Sequence, residues 1–257
     1  MAVADRLLDF GKKAREFGWT EIQFAVKRAM TPDPELFRDT RLPPVMVYAP
    51  PADPIELIYR DESILIVDKP EGLLSVPAKF AAQNDCLASR LHIDFPTATI
   101  VHRLDMDTSG IMVVSLTDQA KRHLGRQFEQ KRAQKTYVAL VEGIVSGDEG
   151  EIDLPLTSDK DNLPKQMVCF ETGRPSQTKW RVLERLNNMT RLELTPLTGR
   201  THQLRVHLKV CGHPIVGDRF YGARDAGEPR MMLHANWLKF RLPTTNQFVE
   251  FSCPCPF

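Results

Sequence analysis

A chain of 257 residues, 42% hydrophobic and 26% charged, has the composition of an ordinary soluble globular protein with room for one large or two modest domains. No apolar run approaches the roughly 20 residues of a membrane span and no signal-peptide core opens the chain, so no membrane association and a cytoplasmic location are expected. A formal net charge of +1 neither demands nor excludes a polyanionic partner, and the five scattered cysteines read as reduced thiols, with Cys253-x-Cys255 lacking the second pair a zinc site needs.

In chain order, residues 1–54 read as an N-terminal appendage and Pro-rich linker. Arg6 to Phe17 and Thr20 to Met30 have the apolar spacing of two short amphipathic helices. Thr31-Pro32-Asp33-Pro34, Pro43-Pro44 and Pro50-Pro51-Ala52-Asp53-Pro54 then break the pattern repeatedly. From Ile55 the signal sharpens, and residues 55–257 are expected to form one body. Leu57 to Arg60 and Ile64 to Lys69 predict a strand pair joined at Asp61-Glu62-Ser63, and Leu87 to Phe95 a short helix ended by Pro96. Thr117 caps a helix over Gln119 to Lys131, with Ala120, Leu124, Gln127 and Phe128 on one side and Lys121, Arg122 and Arg126 on another.

Thr136 to Val141 reads as a strand, Ser146 to Gly173 as irregular hairpins, and Thr178 to Leu186 with Thr190 to Leu197 as an alternating pair turning at Asn187-Asn188. Thr201 is the expected cap of a helix running to Cys211 and closed by Gly212, with Leu204 and Leu208 inward and His202, Arg205 and Lys209 pointing elsewhere. Leu233 to Ala235 and Phe248 to Ser252 supply late strands. Strands outnumber helices and tight turns are frequent, which makes the fold class α+β: a mixed, mostly antiparallel central sheet with flanking helices.

Chemistry concentrates between Ala98 and Val114, where two apolar, β-branched runs flank nine polar-rich residues. A carboxylate on a short loop between buried strands is a nucleophile or general-base candidate. Asp105 alone would more often be a turn residue, a role that suits Asp107 better. Gly-rich phosphate loops, dinucleotide fingerprints, His-Glu-x-x-His helices and Gly-x-Ser-x-Gly elbows are missing from the sequence. Two basic runs stand near this loop. One holds Lys121, Arg122, Arg126, Lys131, Arg132 and Lys135 against Glu129, the other Arg200, Arg205, Lys209 and Arg219 against Asp218. A polyanion surface is at least as good a reading as a solvated face.

His102-Arg103-Leu104-Asp105-x-x-Thr108-Ser109-Gly110, Lys135-x-Tyr137-x-Ala139 and Thr198-Gly199-Arg200-Thr201-His202-Gln203-Leu204-Arg205-Val206-His207 resemble, in order and spacing, the three signature stretches of the RluA family of RNA pseudouridine synthases. Gly72-Leu73-Leu74-Ser75-Val76-Pro77, Asp94-Phe95-Pro96 and Lys165-Gln166-x-Val168-Cys169-x-Glu171-Thr172-Gly173 are most similar to its short members, which modify a 23S rRNA loop and a tRNA anticodon stem-loop. The resemblance runs from about Ile55 to the C-terminus. The first 54 residues are too short and wrongly patterned for the RNA-binding domain that larger members carry.

That resemblance implies the pseudouridine synthase fold, no metal or cofactor, RNA as partner and a monomer. It implies Asp105 as nucleophile, Arg205 as its cationic partner, and Tyr137 stacked on the target base and assisting proton movement at C5. Leu204 would line the base pocket, and Arg103 would fill the gap left by an extruded uridine. His102 is read as a structural hydrogen-bonding residue. The basic helix at Lys121, Arg122 and Arg126, with Arg200 and Lys209, is the expected phosphate-contacting surface. Two other readings stay open: a metal-dependent phosphoryl or glycosyl transferase using Asp105 and Asp107, and a non-catalytic RNA-binding protein.

Overall fold

The computed structural model describes residues 30–37, 42–43, 47–78, 84–222 and 230–257. The two N-terminal helices expected before Met30 lie outside them. Twelve strands and three α-helices are present among the described residues, ten of the strands in one sheet of order β1-β2-β4-β11-β5-β10-β9-β6, with β3 on β4 and β12 on β11.

β1 (Glu56–Arg60) and β2 (Ile64–Lys69) form an antiparallel hairpin. Its turn is held by the Asp61 carboxylate, which accepts the Ser63 and Ile64 N–H groups at 2.7 and 2.8 Å. β2 pairs with β4 (Ser109–Ser115), and the two-residue β3 (Thr99–Ile100) also pairs with β4. Every residue of β4 is buried, which is why Ile111-Met112-Val113-Val114 reads as an unbroken apolar run rather than an alternating one. β4 then pairs with β11 (Leu233–Arg241), the one parallel contact among the described strands of an otherwise antiparallel sheet. At that seam a Cβ on Gly110, whose φ is +120°, would lie 2.3 Å from the Ala235 carbonyl oxygen, so only glycine lets the strands meet.

The other half of the sheet consists of β5 (Gln134–Glu142), β10 (Met189–Pro196), β9 (Gln177–Arg185) and β6 (Glu149–Asp153). β7 (Leu156–Ser158) and β8 (Gln166–Val168) form a separate two-stranded ribbon, and β12 (Phe248–Ser252) closes against β11. The mixed, mostly antiparallel α+β class expected from the sequence is the one observed. β6, β7 and β8 were expected only as irregular hairpins, and β6 buries only Ile152, so it carries little apolar signal. β11 runs six residues past Ala235 because a register shift between Ala235 and Trp237 breaks the alternation that would have revealed it.

α1 (Leu87–Asp94) ends before Pro96 as expected. α2 (Asp118–Glu129) is capped by Thr117, whose hydroxyl accepts the Ala120 N–H at 3.1 Å. It docks through Leu124 and through Gln127, whose amide exchanges two hydrogen bonds with the Arg241 backbone at 2.9 and 2.7 Å. α3 (Gln203–Val210) departs from expectation twice. Its cap is His202, not Thr201, and all eight of its residues are buried, so it has no solvent face for Arg205 and Lys209. The back of the helix is covered by residues 30–37. The Asp33 N–H donates to the Val210 carbonyl at 2.6 Å, the Lys209 ammonium donates to the Leu36 carbonyl, and the Val168 N–H donates to the Phe37 carbonyl at 3.1 Å. Met30 belongs to the hydrophobic core. Part of the stretch expected as an appendage is thus packed into the body, because its apolar residues find the surface that α3 and β8 leave open.

Candidate active site

Asp105 sits on the loop between β3 and β4, at the end of the sheet seam. The loop is pinned on every side. The Thr108 N–H closes it onto the Asp105 carbonyl at 3.1 Å, and the Met106 carbonyl accepts both the Gly72 N–H (2.9 Å) and the Lys69 ammonium (3.0 Å). Ser75 Oγ donates to the Leu104 carbonyl at 2.8 Å, and His102 Nε2 accepts the Val113 N–H at 3.1 Å while its ring stacks on Phe128. A carboxylate held this way loses little entropy on meeting a partner in the cleft.

Lys69 is wholly buried and carries three such contacts, to the carbonyls of Pro70 (2.7 Å), Leu73 (2.7 Å) and Met106. Burial lowers it to about 7 against the pull of Asp107 and Asp105. Its three donors match three acceptors, the requirement for an ammonium inside a protein. Nothing singled it out in the sequence beyond being a lysine at the end of an apolar strand.

Arg205 reaches the loop from α3. Its Nε and Nη2 donate to the two carboxylate oxygens of Asp218 at 2.7 and 2.8 Å, and its remaining Nη1 donates to Asp105 Oδ2 at 3.3 Å. Asp218 is fully enclosed, and its Oδ1 also accepts the Phe220 and Tyr221 N–H groups at 2.9 and 3.1 Å. The guanidinium lies 5.2 Å from both the Phe220 and the Tyr221 ring centroids. Arg205 is therefore fixed by Asp218 and the two rings, with Nη1 left for Asp105. Although burial opposes its charge, Asp218 and Asp105 hold it protonated.

The two loop carboxyls are driven apart. Burial pushes Asp105 upward, but His202 and Arg205 outweigh it and hold the carboxyl below its usual range. Because His202 is itself lowered to about 4 by burial and by Arg205, Arg205 is the standing cation near neutrality. Asp107 is raised by burial, against the pull of Arg205 and Arg219. Of these two neighbouring carboxyls, Asp105 is the one whose ionised form its surroundings favour. Its side chain is still 29% exposed, open to a reactant.

A cleft of about 510 Å³ opens over this loop, within the size range of small-molecule sites. Asp105, Arg205, Leu204, Tyr137 and the half-buried Arg200 all line it, as does the exposed Arg103. Lys135 also lines it and, like Arg103, makes no ion pair among the described residues. In the sequence Lys135 belongs to a basic run and heads the second signature stretch; on β5 it stands two residues before Tyr137, where alternation puts both side chains on one face of the sheet. Lys121, Arg122 and Arg126 are exposed on α2, whose Phe128 walls the cleft, but they do not line it. Lys209 is the expected phosphate contact that the structure removes: it is buried on the far side of α3, bound to Leu36. Helical spacing put it off the Leu204 face, and the sequence carried no sign that residues 30–37 would cover it.

Residues 63–209 match the family model described as RNA pseudouridylate synthase. The chain belongs to that family. The dual-specificity RNA pseudouridine synthase RluA of Salmonella typhimurium is 48% identical over 214 residues, 82% of this chain and 98% of that protein. Its Escherichia coli K12 counterpart is 47% identical over the same shares. Among solved structures, human RNA Pseudouridylate Synthase Domain Containing 1 superposes with a TM-score of 0.67 at 33% identity, covering 79% of this chain and 84% of that one. The synthase is therefore an RluA-type enzyme that forms pseudouridine in RNA, and its fold is the family's. Among the described residues no helix is long and apolar enough to cross a membrane, and no group of three or more His, Cys, Asp or Glu side chains is placed to hold a metal ion.

Proposed function

We infer that the synthase isomerises a uridine in a stem-loop of rRNA or tRNA, with Asp105 as the nucleophile. The observation that carries this reading is the Arg205 guanidinium 3.3 Å from the Asp105 carboxylate at the floor of a nucleotide-sized cleft. The carboxylate attacks C1′ as the bond between N1 and C1′ breaks, the detached uracil turns, and C5 bonds to C1′ as the ester bond from Asp105 to C1′ breaks and returns the carboxylate. The C5 proton then leaves and N1 gains one, so the atoms balance without a cofactor.

Each neighbour has a task in that sequence. Arg205 keeps Asp105 ionised, and a fixed cation beside a nucleophile in a half-dry site costs no reorganisation when charge shifts. Tyr137 and Leu204 supply the aromatic and apolar surfaces between which a detached uracil can turn without leaving, and Tyr137 assists the proton at C5. Arg103, exposed at the rim, replaces the stacking lost when the uridine is drawn out, a step that costs a few kcal/mol. Arg103, Lys135 and Arg200 at the cleft, with Lys121, Arg122 and Arg126 on the exposed face of α2, contact phosphates. The enzyme works as a cytoplasmic monomer. The relatives' names, which speak of dual specificity toward RNA, support RNA of more than one kind as the substrate.

Carbodiimide-adduct mapping by reverse transcription, on rRNA and tRNA incubated with the parent protein or Asp105→Asn, tests the assignment. Stops at defined uridines with the parent alone are the expected result. Equal stops with both proteins overturn the role of Asp105, and no stops on either RNA with the parent overturn the substrate class.

A further inference from the structure

Among the described residues Arg205 and His202 are the basic side chains within 4 Å of the Asp105 carboxylate, yet the isomerisation gives His202 no step. Its backbone is unusual. With φ +52° and ψ +18° it occupies the left-handed region, and unlike Thr117 on α2 its side chain caps nothing. A non-glycine residue in that region is strained, and such strain persists where surrounding contacts over-determine it.

What the strained backbone achieves is the placement of the ring. Nδ1 lies 2.8 Å from the Tyr221 hydroxyl, and Nε2 lies 3.9 Å from Asp105 Oδ2, the oxygen that also takes Arg205. The ring face stacks on Phe220 with centroids 5.7 Å apart, and Tyr221 meets it edge-on at 5.6 Å. The imidazole can neither flip nor swing without breaking these contacts. Tyr221 is anchored in turn, since its oxygen accepts the Gln166 N–H at 2.8 Å. Burial and the Arg205 cation keep His202 neutral near physiological pH, so the ring carries one proton.

We propose that His202 is a positioning residue for Asp105: Tyr221 gives its phenolic proton to His202 Nδ1 in a hydrogen bond, which fixes the ring proton on Nε2 and aims it at Asp105 Oδ2. Arg205 and His202 then converge on one carboxylate oxygen and leave Oδ1 turned toward the cleft. The 3.9 Å separation closes when a substrate fills the site, as catalytic hydrogen bonds commonly do. Gln166 and β8 thereby act on the nucleophile through Tyr221 and His202, a connection that runs outside the signature loop. The proposal rests on Asp105 being the nucleophile, but its first test does not.

That test is nitrogen-15 imidazole NMR of the full-length protein at neutral pH. A proton on Nε2 of His202 is expected, shifting toward a tautomer mixture in Tyr221→Phe; a proton on Nδ1 overturns the proposal. The second test is His202→Asn, since asparagine tolerates the left-handed backbone but is too short to reach both partners. Its kcat is expected to fall about 30-fold with KM for a substrate stem-loop within about threefold, the split of a contact that matters in the transition state. Tyr221→Phe should move kcat in the same direction by a smaller factor. A folded His202→Asn variant with parental kcat overturns the proposal. If Asp105→Asn keeps its activity while the Nε2 tautomer is seen, it is the nucleophile assignment that has failed, not the tautomer.

Discussion

Replacing Arg205 by lysine separates charge from geometry. The parent side chain makes three charge-assisted contacts, at 2.7 and 2.8 Å to Asp218 and at 3.3 Å to Asp105, and stacks on Phe220 and Tyr221. A lysine ammonium at the same place keeps the charge but cannot span both carboxylates, so one Asp218 contact and the Asp105 contact are lost. At about 1.5–3 kcal/mol for each hydrogen bond to a charged group, less for the long one, the loss is about 3 kcal/mol. For a protein of this size that corresponds to a fall in Tm of about 10 °C. An enclosed Asp218 carboxylate left half satisfied adds to the effect rather than relieving it. Catalysis should suffer more, because Asp105 loses its fixed partner: kcat is expected to drop about 100-fold, the scale of a misplacement near 1 Å. Thermal melting by circular dichroism and single-turnover conversion of a stem-loop RNA give the two readings. A variant melting within about 2 °C of the parent and turning over within about threefold would refute the claim that the two-pronged grip of Arg205 on Asp218 serves Asp105.

Other expectations follow from the same geometry. Burial lowers His102 to about 3 and His202 and His207 to about 4, so all three fold as neutral rings. Their folded values lie below the unfolded one. The stability they contribute is complete above about pH 6.5 and is lost as pH falls from there toward 4, on the order of 2 kcal/mol per histidine by pH 5. Urea unfolding between about pH 7.5 and 5 measures it, and an unchanged midpoint would contradict the burial. Lys69→Met leaves the Pro70, Leu73 and Met106 carbonyls without their donor and should lose about 3–5 kcal/mol by the same urea assay, whereas a loss below about 1 kcal/mol would show that the ammonium does not pin the Asp105 loop. Replacing Arg103, Lys135 and Arg200 together by glutamine should weaken stem-loop binding and flatten the slope of log Kd against log salt by about two units, given about 0.7 per phosphate contact on a single strand. An unchanged slope would remove these three cations from the RNA surface.

The sequence revealed those parts of the molecule whose signal is local. β2 and α1 follow from apolar runs bounded by Asp61 and Pro96, and α2 from Thr117 and the spacing of Ala120, Leu124 and Gln127. Asp105, Tyr137, Leu204 and Arg205 came from the signature stretches, and the structure brings all four to one cleft although Asp105 and Arg205 stand a hundred positions apart in the chain. What stayed hidden depends on long-range contact. Lys209 and Lys121 look alike in sequence, yet one is buried because residues 30–37 cross the back of α3 and the other faces solvent. The cap of α3 was assigned to Thr201 because threonine is the usual cap. The chain instead places His202 in a strained conformation there, a departure from local preference of the kind that functional sites tolerate. In the sequence Asp218 is only the lone acid beside a basic run. Its value lies in meeting Arg205 thirteen residues away across a turn that no periodicity records.

The most direct trial of the account is single-turnover conversion of one stem-loop RNA by purified Asp105→Asn in excess over substrate. Conversion is expected to fall by at least about 10⁴-fold while Kd for the RNA stays within about threefold, because the amide keeps the shape of the carboxylate and the cationic rim is untouched. Pseudouridine formed by that variant at a rate within about tenfold of the parent would mean that another group attacks the uridine, and Asp105 would not be the nucleophile.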